Sequence, residues 1–153
     1  MIRNPSRRQL RPIMKGVRLW AEELVKQYND SGFWYDDLCG MCAITSAELW
    51  KRLKNAGIEA EICMRIGMYG SHVFVESGKY VLDVTAQQFS HRNSKITIRP
   101  KRLAQVHDYW LADKRFKSAR SLLAWQKKED WPIEQQAMAF TKLLKKVNKR
   151  RVK

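Results

Sequence analysis

Residues 58–85 read IEAEICMRIGMYGSHVFVESGKYVLDVT, and their period decides the fold. Ile58, Ala60, Ile62, Met64 and Ile66 alternate with Glu59, Glu61, Cys63 and Arg65, the two-residue period of a half-buried strand. Gly67-Met68-Tyr69-Gly70 reads as a loop. Two more strands are expected over 71–76 and 79–84, separated by Ser77-Gly78, a short glycine-containing link of the kind that closes a hairpin. With Ser77-Gly78 as the loop, Glu76 faces Lys79, and counting outward His72 faces Asp83. Directly opposed residues have Cβ atoms about 4.5–5.5 Å apart, so an imidazole and a carboxylate placed there can hydrogen-bond. The bland alternative is a surface His-Asp pair with no task. A slip of one residue would send the two side chains to opposite faces.

Working outward, the period changes to that of a helix on both sides. Upstream, Ile44, Ala47, Trp50 and Leu53 mark one face of a helix over about 41–56, which Gly57 stops. Asp36 or Asp37 could cap its start. Earlier still, Ile13, Val17, Trp20, Ala21, Leu24, Val25 and Tyr28 recur at three- and four-residue steps, an amphipathic helix ended by Asn29-Asp30-Ser31-Gly32. Residues 1–12, punctuated by Pro5 and Pro12, read as irregular. Downstream, a fourth strand is expected at 95–99, stopped by Pro100. Phe116, Ala119, Leu122 and Leu123 then fit a helix. Asp130-Trp131-Pro132 opens a last one, with Ile133, Ala137, Phe140, Leu144 and Val147 on its apolar face.

The expected class is therefore α+β: a helix packed on an antiparallel sheet of about three or four strands, with flanking N- and C-terminal helices. A chain of 153 residues suits one domain. Its expected limits are 13–148, with a basic arm at 1–12 and a basic tail at 149–153. No apolar run approaches the roughly 18–20 residues that span a bilayer. Residues 1–15 lack the apolar core of a secretory signal. The expected location is cytoplasmic, with no membrane partner.

The formal charge is +15, and it sits at the ends. Residues 1–18 hold Arg3, Arg7, Arg8, Arg11, Lys15 and Arg18 without an acid. Residues 142–153 hold Lys142, Lys145, Lys146, Lys149, Arg150, Arg151 and Lys153, again without one. Such ends attract nucleic acid or an acidic protein surface, or simply keep the chain soluble.

Cys39, Cys42 and Cys63 are the three cysteines, an odd number without the spacing of a disulfide framework. Cys42 falls where a helix begins. There the positive end of the helix dipole and unpaired N–H groups favour the nucleophilic thiolate. Cys39, just before the helix, is the competing nucleophile, and Cys63, on a strand, reads as inert. Cys39-Gly40-Met41-Cys42 is also a C-x-x-C. A zinc site would need two further ligands from Cys63, His72, His91 and His107, with no second paired spacing. A thioredoxin-like pair would need a preceding strand. No metal or other cofactor is expected. His91 and His107 read as solvent-exposed. Most of the six tryptophans fall at apolar helical positions, whereas Trp34 and Tyr35 lie in the loop before Cys42 and could line a cleft.

Three segments in order resemble the transglutaminase-like superfamily of papain-type cysteine enzymes. They are Gly40-Met41-Cys42 with Gly57-Ile58 about fifteen residues on, His72-Val73-Phe74-Val75-Glu76, and Leu82-Asp83-Val84-Thr85. The trailing Ala86-Gln87-Gln88-Phe89 is similar to the bacterial branch of the group, and a small basic chain suits a bacterial or phage product. The resemblance covers roughly residues 38–90 and selects Cys42 over Cys39. It implies a catalytic Cys42, His72 and Asp83 and acyl transfer through a thioester. Water as acceptor makes a protease, amidase or deamidase, and an amine as acceptor makes a transferase. The competing expectation is a non-catalytic transglutaminase-like binding module whose basic termini hold nucleic acid or an acidic partner.

Overall fold

The computed structural model describes residues 1–28, 41–67 and 70–129. Four helices and a five-stranded antiparallel sheet make up its α+β architecture. Helix α1 spans Arg7–Tyr28, α2 Cys42–Asn55, α3 Lys101–Ala104 and α4 Ala119–Glu129. Strands β1 Glu61–Gly67, β2 Gly70–Ser77, β3 Tyr80–Asp83, β4 Thr97–Pro100 and β5 Lys114–Phe116 pair in the order β4-β3-β2-β1-β5.

Helix α1 starts six residues earlier than the hydrophobic period implies, so residues 7–12 are helical and Pro12 lies inside α1. The cause is local. Ser6 Oγ accepts from the Gln9 N–H at 3.2 Å, and Gln9 Oε1 accepts from the Ser6 N–H at 2.9 Å. This reciprocal Ser-x-x-Gln box satisfies two helix-start donors. Pro12 removes the bond to the Arg8 carbonyl and crowds it, but the capping box before it and the buried Leu10, Met14 and Val17 around it keep the turn helical. Nor is the segment before it a loose arm. Ile2 bridges to Ile58, donating to Gly57 O at 2.7 Å and accepting from the Glu59 N–H at 2.9 Å.

The sheet carries different layers on its two faces. Against one, Leu10, Met14 and Val17 of α1 and Leu49 and Leu53 of α2 bury Val75, Leu82 and Ile98. Further along that side, Met64, Val73 and Phe116 meet Leu24, Ile44 and Leu122. Leu10, Leu53 and Leu82 are fully buried. Truncating any of them to alanine costs about 2–5 kcal/mol through lost transfer energy and the cavity left behind. The other face, with Cys63, Phe74 and Val81, is covered by a layer of turns and short helices that contributes Ala86, Ala104 and Trp110.

Several expectations need correction. Lys114–Phe116 is a fifth strand, so Phe116 belongs to β5 and α4 begins only at Ala119. Three residues are too few to show a period, and Ile62↔Phe116 pairing supplies the strand from outside. The expected strand at 95–99 is β4, two residues later at its start. The hairpin turns at Gly78-Lys79, because Gly78 takes φ +56°, and Ser77 pairs with Tyr80. Gly57, at φ +74°, does end α2: Gly57 N–H reaches Lys54 O at 3.0 Å and Ile58 N–H reaches Leu53 O at 2.9 Å. That pair of bonds closes a helix through a left-handed glycine. The Asn29–Gly32 turn, the 33–40 loop with Trp34, Tyr35, Asp36, Asp37 and Cys39, and the helix and basic tail after residue 129 lie outside the described residues.

Candidate active site

Cys42 is the first residue of α2, with Met41 as N-cap. The first N–H groups of a helix have no partner within it, and here Thr45 is the first to bond back, to Met41 O at 3.0 Å. One turn beyond Cys42, Ser46 Oγ donates to Val73 O at 3.1 Å. That bond ties the start of α2 to the backbone of β2 immediately after His72.

His72 Nε2 lies 2.7 Å from Asp83 Oδ2, and both side chains are almost fully buried. The pairing is not the direct one expected. Val75 faces Leu82, and continuing that register sets Asp83 across from Phe74, with His72 two residues along. His72 and Asp83 are therefore diagonal neighbours. The misplaced turn shifts partners by two, which preserves the face of each side chain, and a diagonal pair is within reach of long side chains.

Four donors converge on Asp83. Besides His72, Trp110 Nε1 donates to Oδ2 at 2.9 Å, and the Thr85 N–H and Oγ1 donate to Oδ1 at 2.8 and 3.0 Å. Burial alone would raise the carboxyl pKa; His72 above all, then Trp110 and Thr85, hold it below the ordinary carboxylate value. Burial alone would likewise strip His72 of its proton, but the Asp83 carboxylate and hydrogen bonding to Cys42 outweigh it and raise the ring to about 10. Asp83 takes Nε2, and Cys42 acts on the same ring. The Gln88 side-chain nitrogen also stands 3.3 Å from Nδ1 and donates to Thr85 Oγ1 at 3.1 Å.

Aromatic rings wall this imidazole. Phe89 meets it edge-on at 4.6 Å, Tyr109 at 6.4 Å, and Phe74 stacks at 5.9 Å. Phe89 and Tyr109 stack on each other at 4.1 Å, and Phe89 remains 41% exposed, so the wall has an outward side. Arg65, opposite His72 on β1, is occupied by Asp108 at 2.6 Å and Asp113 at 2.9 Å. Its charge is thus answered locally.

Cys42, His72 and Asp83 are thus brought together, while Cys63 is elsewhere. Cys63 is fully buried, and burial, reinforced by Glu76, pushes its thiol far above the ordinary range. His91 is exposed. His107 is not as expected: it is half-buried, 3.2 Å from Arg99 Nη1 and stacked on Tyr109 at 5.2 Å. Among the described residues no three His, Cys, Asp or Glu side chains gather to hold a metal.

Sequence reasoning missed Trp110, Thr85 and Gln88 as site residues. Thr85 was findable, because a threonine two residues after an aspartate is the spacing of a local side-chain turn. Trp110 carried only the general signal that a buried indole N–H needs an acceptor. A groove of about 850 Å³ lined by Trp50, Lys54, Glu61, Glu76, Lys101 and Arg115 lies apart from the triad. Volume alone does not make it the reactive site, since it holds no nucleophile beside a base. No family model, no curated protein and no solved structure matches the chain.

Proposed function

We propose that the protein is a transglutaminase-like cysteine enzyme that breaks an amide bond through a thioester, with Cys42 as nucleophile, His72 as acid–base and Asp83 as the group that orients His72. One observation carries this reading: a buried imidazole held by a fully hydrogen-bonded carboxylate at 2.7 Å, with a thiol at a helix start acting on the same ring.

The chemistry follows from those positions. With the thiol's proton held on His72 Nδ1, the Cys42 sulfur attacks the amide carbonyl. The first N–H groups of α2 point where negative charge develops on the carbonyl oxygen. His72 then gives its proton to the departing amine, leaving a thioester on Cys42. Water, deprotonated by His72, releases the acid and restores the thiol. An amine in place of water makes the same site a transferase. Asp83 stays ionised throughout, because it accepts from four donors. No described helix is long and apolar enough to cross a membrane, and the described cysteines, Cys42 and Cys63, are free. Both fit a reducing cytoplasm as the place of work.

Trapping tests the reading. A chloromethyl ketone or iodoacetamide should label Cys42 near neutral pH, and His72→Ala should slow that labelling at least tenfold. Labelling of Cys42 no faster than that of a free thiol peptide, and unchanged by His72→Ala, would remove the basis for catalysis. Glutamine-peptide hydrolysis with and without a dansylated amine then separates hydrolase from transferase.

A second reading has its own support, since α1 carries Arg7, Arg8, Arg11 and Lys15 exposed along its first turns. It makes the fold a non-catalytic binding module for nucleic acid or an acidic protein. Cys42→Ala separates the two readings, because it ends acyl transfer and leaves polyanion binding untouched.

A further inference from the structure

A recess of about 210 Å³ lies where the start of α1 meets the outer strand β4, and Cys42 is not among the residues that line it. Arg7 and Arg11 of α1, Arg92 of the 90–94 turn and Arg99 of β4 line it, with Asn93, Ser94 and Thr97, and among the described residues no acidic side chain does. The Arg99 guanidinium is engaged by His107 at 3.2 Å and stands over Trp110 at 5.5 Å, so three arginines remain for a ligand. Arg7 is pre-set: its Nη1 donates to Ile98 O at 2.7 Å and its guanidinium lies 5.2 Å from the Tyr80 ring centroid. The turn that carries Arg92 is also fixed, by Asn93 N–H to Ser90 O at 2.9 Å and Asn93 Nδ2 to Ala86 O at 2.9 Å.

We propose that this recess binds a backbone phosphate of a nucleic acid. Guanidinium forks match phosphate oxygens two at a time, a fit that lysines lack. Arg7, Arg11 and Lys15 recur every four residues, about 6 Å apart along the helix axis. A row of cations answers a repeating anion rather than a single phosphate. Among the described residues no aromatic ring lines the recess to stack on a base, which fits binding through the backbone and independent of sequence. The site extends the polyanion reading and does not depend on the thiol.

The test uses the full chain and a fluorescein-labelled 20-nucleotide single strand, followed by anisotropy over a salt series. Arg11→Glu with Arg92→Glu should weaken binding at least tenfold more than Arg102→Glu with Lys127→Glu, which changes net charge equally at exposed positions elsewhere. The slope of log affinity against log salt should flatten by about 0.7 for each phosphate no longer neutralised. Equal losses in the two double variants, with matched melting curves, overturn the recess and leave diffuse attraction. Displacement by polyglutamate as readily as by unlabelled oligonucleotide overturns the nucleic-acid assignment. Absence of binding at 50 mM salt overturns the polyanion reading as well. Binding that is the same in Cys42→Ala as in the unchanged chain keeps this site separate from the catalytic one.

Discussion

His72 and Glu76 stand four residues apart on β2 and on the same face of the sheet, yet the cysteine beside each meets a different fate. Cys42 lies against a ring that Asp83 keeps positive. Cys63, itself fully buried, lies against the Glu76 carboxylate, which Arg115 bonds at 2.9 Å. In the proposed mechanism the same side chain is prepared for attack at one end of the strand and silenced at the other. Depth of burial comes first, since Cys63 is fully buried whereas Cys42 keeps 9% of its surface. The neighbouring Glu76 carboxylate and the lack of a helix start add to it at Cys63.

The comparison breaks most visibly if Asp83 is removed. Asp83→Ala strands a buried imidazole, the Trp110 indole and Thr85, and should cost about 3–5 kcal/mol in urea unfolding. A loss under about 1 kcal/mol would mean that the dyad is no anchor of the fold. Next, mass spectrometry of alkylated native protein should find Cys42 labelled about a hundredfold faster than Cys63. Trp110→Phe keeps a ring but loses its bond to the carboxylate, and should cost about 1.5–3 kcal/mol, the range for a hydrogen bond to a charged group.

The pH dependence follows from the two shifts. Folding tightens the His72 proton, so that part of the stability is full below the ordinary 6.5 and is lost as pH rises toward about 10. Folding loosens the Asp83 proton, so its part is full above 3.8 and is lost as pH falls. Denaturation midpoints taken from pH 3 to 10 should therefore show the dyad's full contribution between those two ordinary values and decline on either side. The smallest effect should come from Glu76→Gln, about 1 kcal/mol or less, because Arg115 is half exposed. It should leave Cys63 unlabelled, since burial comes first among the causes of its inertness. Labelling of Cys63 in that variant would put charge ahead of burial.

Much of this was legible in the chain itself, for reasons that can be stated. Alternation over residues 58–66 encodes a strand because successive side chains point to opposite faces, but the half-buried strand it implies is wrong, since Ile62, Cys63 and Met64 are all buried between two covered faces. The His72–Asp83 contact was inferred from a wrong turn, yet it holds because the error was even-numbered and kept both side chains on one face. Cys42 at a helix start was readable from Gly57 closing a helix of the right length. The early start of α1 was overlooked because Pro12 weighed more than the Ser6–Gln9 box, although the box acts on the cap and the proline on one interior bond. Strand β5 and Trp110 were not readable. Three residues carry no period, and the indole meets Asp83 only after a 27-residue excursion folds back.

The sheet's outer strands are short, four residues in β4 and three in β5, and the Arg7 side chain already occupies one outward carbonyl of β4, that of Ile98. A second molecule seeking to extend the sheet would find little open backbone to bond and a guanidinium in its way. That border of the sheet is thereby guarded against pairing with a second copy, and the residue that blocks it is one of the cations lining the recess.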